Sequence, residues 1–94
     1  MKTFIIEREI PGLGGFSAKK LKEISQASNT VVDALGKPYE WVTSYVTGNK
    51  LYCIHRAENE DVVREHAKAG NFPIDSICEI SGEIDPSTAT GSWE

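Results

Sequence analysis

Four side chains able to bind a metal or move a proton fall in strand-like runs of this 94-residue sequence: Glu7, Cys53, His55 and Glu79. His66 joins them from a helix-like stretch, and Trp41 and Tyr45 supply large aromatic surfaces on a further strand-like run. Imidazole, thiolate and carboxylate are donors that nickel, zinc or copper accept, which makes Glu7, Cys53, His55 and His66 the candidate metal set. Glu7, Trp41, Tyr45, Cys53, His55 and Glu79 together have the composition of a ligand pocket, polar groups among aromatic walls. Spacing alone does not choose between these chemistries, because no Cys-x2-Cys or His-x3-His pair is present. Nor does the order of residues set a nucleophile beside a base, so a Ser/His/Asp hydrolase has no support.

Each candidate also has an ordinary structural reading. Free cysteine is among the most buried residue types, so Cys53 also reads as a small core residue and Cys78 more so. His66 lies on an apolar helix stripe, where a hydrogen-bonded structural histidine is the usual case. Trp41 and Tyr45 suit subunit packing as well as substrate stacking. Glu7 is the first candidate for a functional carboxylate, since a buried acid needs a partner or a raised pKa.

The elements that position these residues can be read from the chain. Phe4 to Ile10 is rich in β-branched and aromatic residues and stops at Pro11-Gly12, a first strand. Ser17 caps a helix whose apolar positions Leu21, Ile24, Val31, Val32 and Leu35 recur at helical spacing, with Gly36 as its stop and Pro38 beyond. Two strand-like runs, Glu40 to Val46 and Lys50 to Ala57, flank Thr47-Gly48-Asn49, where a Gly-Asn pair suits the positive φ of a tight hairpin. Asn59 caps a second helix with Glu60 and Asp61 at its N-terminus and Val62, Val63, His66 and Ala67 as its buried stripe, ending at Gly70. Phe72-Pro73 turns the chain into a last strand over Ile74 to Ile80. The Gly12-x-Gly14-Gly15 loop lacks the full phosphate-binding fingerprint and is read as a connection. The order is β-α-β-β-α-β, an α+β domain over residues 1–84, followed by a polar tail over 85–94 that is expected to be flexible, with Trp93 as its one anchor.

Alternation along the strands predicts two unlike faces. Phe4, Ile6, Val42, Val46, Tyr52, Ile54, Cys78 and Ile80 form an apolar floor for the helices, and the opposite set holds Ile5, Glu7, Trp41, Thr43, Tyr45, Leu51, Cys53, His55, Ile77 and Glu79. So much apolar surface on the second face predicts a homodimer through it, with the ionisable groups enclosed between the two sheets. A net charge of -4 argues against a nucleic-acid groove or an anionic membrane surface as the partner. No apolar run approaches a membrane span or a signal-peptide core, and both cysteines sit in strand-like runs, so a cytoplasmic protein with reduced thiols is expected.

Glu7-Arg8 before Pro11, Trp41-Val42-Thr43-Ser44-Tyr45, Tyr52-Cys53-Ile54-His55-Arg56-Ala57, and Arg64-Glu65-His66-Ala67 through Gly70 to Pro73 resemble the domain-of-unknown-function family 4242, over roughly residues 2 to 82. The resemblance implies a ferredoxin-like fold that dimerises into an α/β barrel, and nickel binding, since some members are described as nickel-binding proteins. His55 stands where the family pattern is expected to carry a tyrosine, and the first loop is unusually rich in glycine. Three functions stay open: a dimeric binder of nickel or another divalent transition metal, or of a small ligand, with no organic cofactor; a cofactor-light monooxygenase or isomerase acting on a small aromatic molecule, with Glu7 or His55 as base, by fold analogy; and a structural dimer.

Overall fold

The computed structural model describes residues 1–91. Strand β1 spans Lys2–Glu9, helix α1 Ala18–Leu35, strands β2 and β3 Tyr39–Val46 and Lys50–Ala57, helix α2 Glu60–Gly70, and strand β4 Ser76–Glu79. Short 3-10 turns lie at Leu13–Gly15 and Pro86–Thr90. The N-terminal caps are those the sequence predicts. The Ser17 hydroxyl accepts from the backbone N–H of Lys20, and the Asn59 side chain from that of Val62, so each satisfies a donor the helix cannot. Gly36 closes α1 in the left-handed conformation at φ 64°. At α2 that position is taken by Asn71, one residue beyond Gly70, at φ 57°.

All pairings are antiparallel and the sheet order is β2-β3-β1-β4, with two helices on one face: the α+β, ferredoxin-like architecture expected. The core lies between sheet and helices, where Phe4, Ile6, Cys53, Ala57, Val62 and Val63 are buried together. Tyr39, Leu51, Ile74 and Ile77 pack against them. Among the described residues no helix is long and apolar enough to cross a membrane.

The hairpin between β2 and β3 forms as expected but by a different turn, because neither Gly48 nor Asn49 adopts a positive φ. Thr47 closes it instead, its N–H donating to the Lys50 carbonyl while its hydroxyl accepts from the Lys50 N–H. The glycine-rich loop docks on this hairpin: Gly14 N–H donates to the Gly48 carbonyl at 2.9 Å, and a Cβ on Gly14 would stand 3.1 Å from the Gly48 Cα. Leu13 is thereby pressed into the interior.

Register corrects the expected faces. Partners directly opposite in an antiparallel pair share a face, and Phe4 lies opposite His55 and Ile6 opposite Cys53. Cys53 and His55 therefore point to the helices, with Leu51 and Ala57, while Tyr52 and Ile54 point away. β1 follows the expectation: Phe4 and Ile6 face the helices, Ile5 and Glu7 do not. In β2 the register shifts between Trp41 and Thr43, so Val42 is an extra residue; Trp41, opposite His55, and Ser44, opposite Cys53, both face the helices. In β4 the phase is likewise reversed, with Ile77 inward opposite Ile6 and Cys78 outward and exposed opposite Ile5. Both cysteines are free thiols. The tail from Asp85 carries its own capping box, in which the Asp85 side chain accepts from Ser87 N–H and Thr88 bonds back to the Asp85 N–H. Trp93 lies outside the described residues.

Candidate functional site

Where α1 crosses the sheet, both surfaces present small side chains: Ser25 and Ser28 from the helix, Ser44 and Cys53 from the strands. Of the α1 residues only Ser28 is buried, and the helix stands off the strands instead of closing on them. A cavity of about 160 Å³ remains, walled by Ile10, Leu13, Leu21, Ile24, Val46 and Leu51 on its apolar sides and by Arg8, Trp41, Cys53, His55, His66 and Phe72 elsewhere.

The polar groups form a connected cluster. His55, 2% exposed, bonds through Nδ1 to the Tyr39 hydroxyl at 2.6 Å. His66, 1% exposed, bonds through Nε2 to the Ser28 hydroxyl at 3.2 Å and so joins α2 to α1. The two imidazoles lie edge to face with centroids 5.2 Å apart, and Tyr39 stacks on His66 at 4.9 Å. His66 Nδ1 is buried with no hydrogen-bond partner among the described residues. Phe72 stacks on His66 at 5.4 Å, and the Arg8 guanidinium stands over the Phe72 ring at 5.5 Å. Arg8, 3% exposed, donates from Nη1 to the Pro73 carbonyl at 2.7 Å. Trp41 Nε1 donates to the Ser44 hydroxyl across the bulge, at 2.9 Å.

Burial dominates the electrostatics. It pushes the His55 pKa down to about 3, with His66 and then Arg8 adding repulsion to the charged form. His66 is held at about 4, again by burial first and then by Arg8, against a smaller opposing hydrogen bond with Ser28. Both rings are neutral at pH 7, the state in which an imidazole ligates a metal or accepts a proton. Burial also pushes the Tyr39 phenol well above its usual value, so it stays protonated.

The cluster brings together Trp41, Cys53, His55 and His66 of the residues singled out by sequence and leaves out three. Glu7 faces the open side of the sheet and pairs with Lys50 Nζ at 3.5 Å. Tyr45 is on that side too, 61% exposed. Glu79, opposite Phe4 at the end of edge strand β4, pairs with Lys2 at 3.7 Å in solvent. The pocket set is thus split between two faces, and its shared interior is under the helices, not between two sheets. Sequence reasoning missed Tyr39, Ser28, Phe72 and Arg8. Only Arg8 carried a signal: it continues the inward alternation of Phe4 and Ile6, which places a guanidinium in the core. Among the described residues no three His, Cys, Asp or Glu side chains are grouped as a metal site requires.

A four-stranded antiparallel sheet of this order under two helices, with a small interior pocket, is a ferredoxin-like domain. Residues 4–80 match the model of the family described as Nickel responsive protein SCO4226-like, and the chain belongs to that family. The resemblance to family 4242 is compatible with this membership. Among solved structures, the crystal structure of SCO4226 from Streptomyces coelicolor A3(2) is similar, with a TM-score of 0.73 and 15% identity over 87% of this chain and 99% of that chain. At that identity the likeness speaks for the fold. No curated protein matches the chain.

Proposed function

We propose that this chain is a small binding protein of the nickel-responsive family, acting as a homodimer, whose ligand sits in the helix-covered pocket. The observation that carries this reading is a cavity of about 160 Å³ whose wall sets the buried Arg8, His55 and His66 side chains among aliphatic ones. A cavity of this size matches the roughly 150 Å³ known to accept a benzene-sized guest. Toluene titrated into isotopically labelled protein tests the reading. Shifts centred on the methyl groups of Leu13, Ile24 and Leu51 are expected, and an unperturbed interior rejects it.

Nickel is the ligand suggested by the family's description, and two of the donors present suit it. The neighbouring His55 and His66 rings are neutral nitrogen donors, and Cys53 shares the face of β3 that carries His55. The fit is to an open seat, not a closed cage, because a third grouped donor is lacking among the described residues and the buried Arg8 charge opposes a dication. Completion would fall to water or to an anionic ligand brought from outside the chain.

Nickel titration at two pH values checks this reading. An imidazole with an ordinary pKa near 6.5 loses about fivefold in metal affinity between pH 6.5 and 5.5, and a pair loses about thirtyfold. Rings held at about 3 and about 4 have no proton to shed at either pH, so nickel affinity at this pair should stay nearly flat. His66→Ala should abolish that uptake. Uptake with the steep profile of exposed histidines, or unchanged in the variant, places nickel elsewhere on the protein.

A further inference from the structure

The five ion pairs among the described residues account for Lys2, Lys37, Lys50, Arg56 and Arg64, all solvent-exposed, and Arg8 is in none of them. Arg8 is nonetheless the most deeply buried cation of the described chain, at 3% exposed. It makes one hydrogen bond, to the Pro73 carbonyl, and lies over the face of Phe72. A guanidinium has five N–H donors and cannot shed its charge, so a buried one without a carboxylate is costly to maintain. The same cavity is lined by the His55 and His66 rings.

We propose that the pocket binds a small monocarboxylate with an apolar body, its carboxylate on the Arg8 guanidinium and its hydrocarbon among Leu13, Ile24 and Leu51. The inference rests on the pocket reading above and names its ligand class. Each attribute follows from a separate observation. The charge is negative because the one buried ion in the wall is positive, and single because that cation stands alone beside two neutral imidazoles. The acid is a carboxylate because a planar fork of N–H donors pairs bidentately with two coplanar oxygens. The body is apolar because the remaining wall is aliphatic, and it is of benzene size because the cavity is about 160 Å³. A bare divalent cation or an alkyl ammonium would face the guanidinium with like charge. A neutral hydrocarbon would fill the volume and leave Arg8 as it is.

The test titrates three probes of nearly one shape, benzoate, benzamide and toluene, into the full-length protein by NMR and calorimetry, with Arg8→Met and Arg8→Lys beside the wild type. Benzoate should bind at least tenfold more tightly than benzamide and show nuclear Overhauser contacts to the Leu51 and Ile24 methyls. Arg8→Met should remove that preference while leaving toluene binding intact. Arg8→Lys, which keeps the charge and loses the fork, should keep part of it. If Arg8→Met fails to fold, the wild-type benzoate-to-benzamide ratio and the contacts to Leu51 and Ile24 still decide. Toluene binding with no benzoate preference overturns the carboxylate and leaves the pocket reading standing. Failure of all three probes overturns both, and benzoate shifts confined to outer-face residues such as Tyr45 overturn the assignment of site.

Discussion

His55 and His66 are neutral in the fold and ordinary in the unfolded chain, and that difference sets how the protein responds to acid. Their folded pKa values of about 3 and about 4 lie below the unfolded value near 6.5. Above pH 6.5 neither state binds the proton and the burial of the rings carries no penalty. As pH falls below 6.5 the unfolded chain takes up protons that the fold excludes, so stability drops, by up to about 1.4 kcal/mol per pH unit for each ring, until the folded pKa values are reached. Denaturant unfolding at pH 7 and pH 5 should show a clearly lower midpoint at pH 5, and neither imidazole should titrate near 6.5 in the folded protein. A stability flat across that interval would mean the rings are better solvated than their 1–2% exposure indicates.

At the scale of elements, α2 and the segment after it shape one wall of the pocket, and Gly70 is the close-fitting point. A Cβ there would stand 2.2 Å from Phe72 Cε2, so Gly70→Ala must drive the Phe72 ring off its stack with His66 and Arg8. Alanine's helix preference is worth at most about 1 kcal/mol. Overpacking against an aromatic ring typically costs about 1–3 kcal/mol. A net loss of stability is therefore expected by chemical denaturation, together with a changed chemical shift at His66. A variant as stable as the wild type with His66 unmoved would show that the ring relaxes freely.

The limits of these elements were legible in the sequence because their signals are local: Ser17 and Asn59 as caps, Gly36 as a stop, β-branched runs for the strands. The faces of β1 were legible too, since Phe4 and Ile6 contrast with Glu7 and Glu9. The faces of β3 were not, because Leu51, Cys53 and Ala57 are as apolar on one side as Tyr52 and Ile54 are on the other. Only pairing with β1 decides between them, and pairing is a long-range fact. The bond between Ser28 and His66, 38 positions apart, left no trace in either local pattern.

For the whole molecule the question is what covers the side of the sheet without helices. Ile5 and Tyr45 are exposed, and Tyr52 and Ile54 are half-buried beside them. The ion pairs Glu7–Lys50 and Glu40–Arg56 flank this apolar strip. Apolar surface ringed by charge is the usual anatomy of a subunit interface, and the proposed homodimer would bury it. Tyr45→Glu should then shift the sedimentation profile from dimer toward monomer while leaving pocket binding intact, since Tyr45 does not line the cavity. A wild-type chain that sediments as a monomer at all concentrations would overturn the dimer.

β2 and β4 are the two rims of the sheet, and β2 is the longer, with eight residues. A regular rim of that length is a template onto which stray chains can add as further strands, the first step toward aggregates. Val42 interrupts it: as the extra residue in the register it spoils the even spacing of backbone donors and acceptors along the rim. The irregularity that turns both Trp41 and Ser44 toward the pocket also makes β2 a poor landing strip for an intruding strand. One inserted residue thus shapes the binding cavity from inside and guards the outer rim of the sheet.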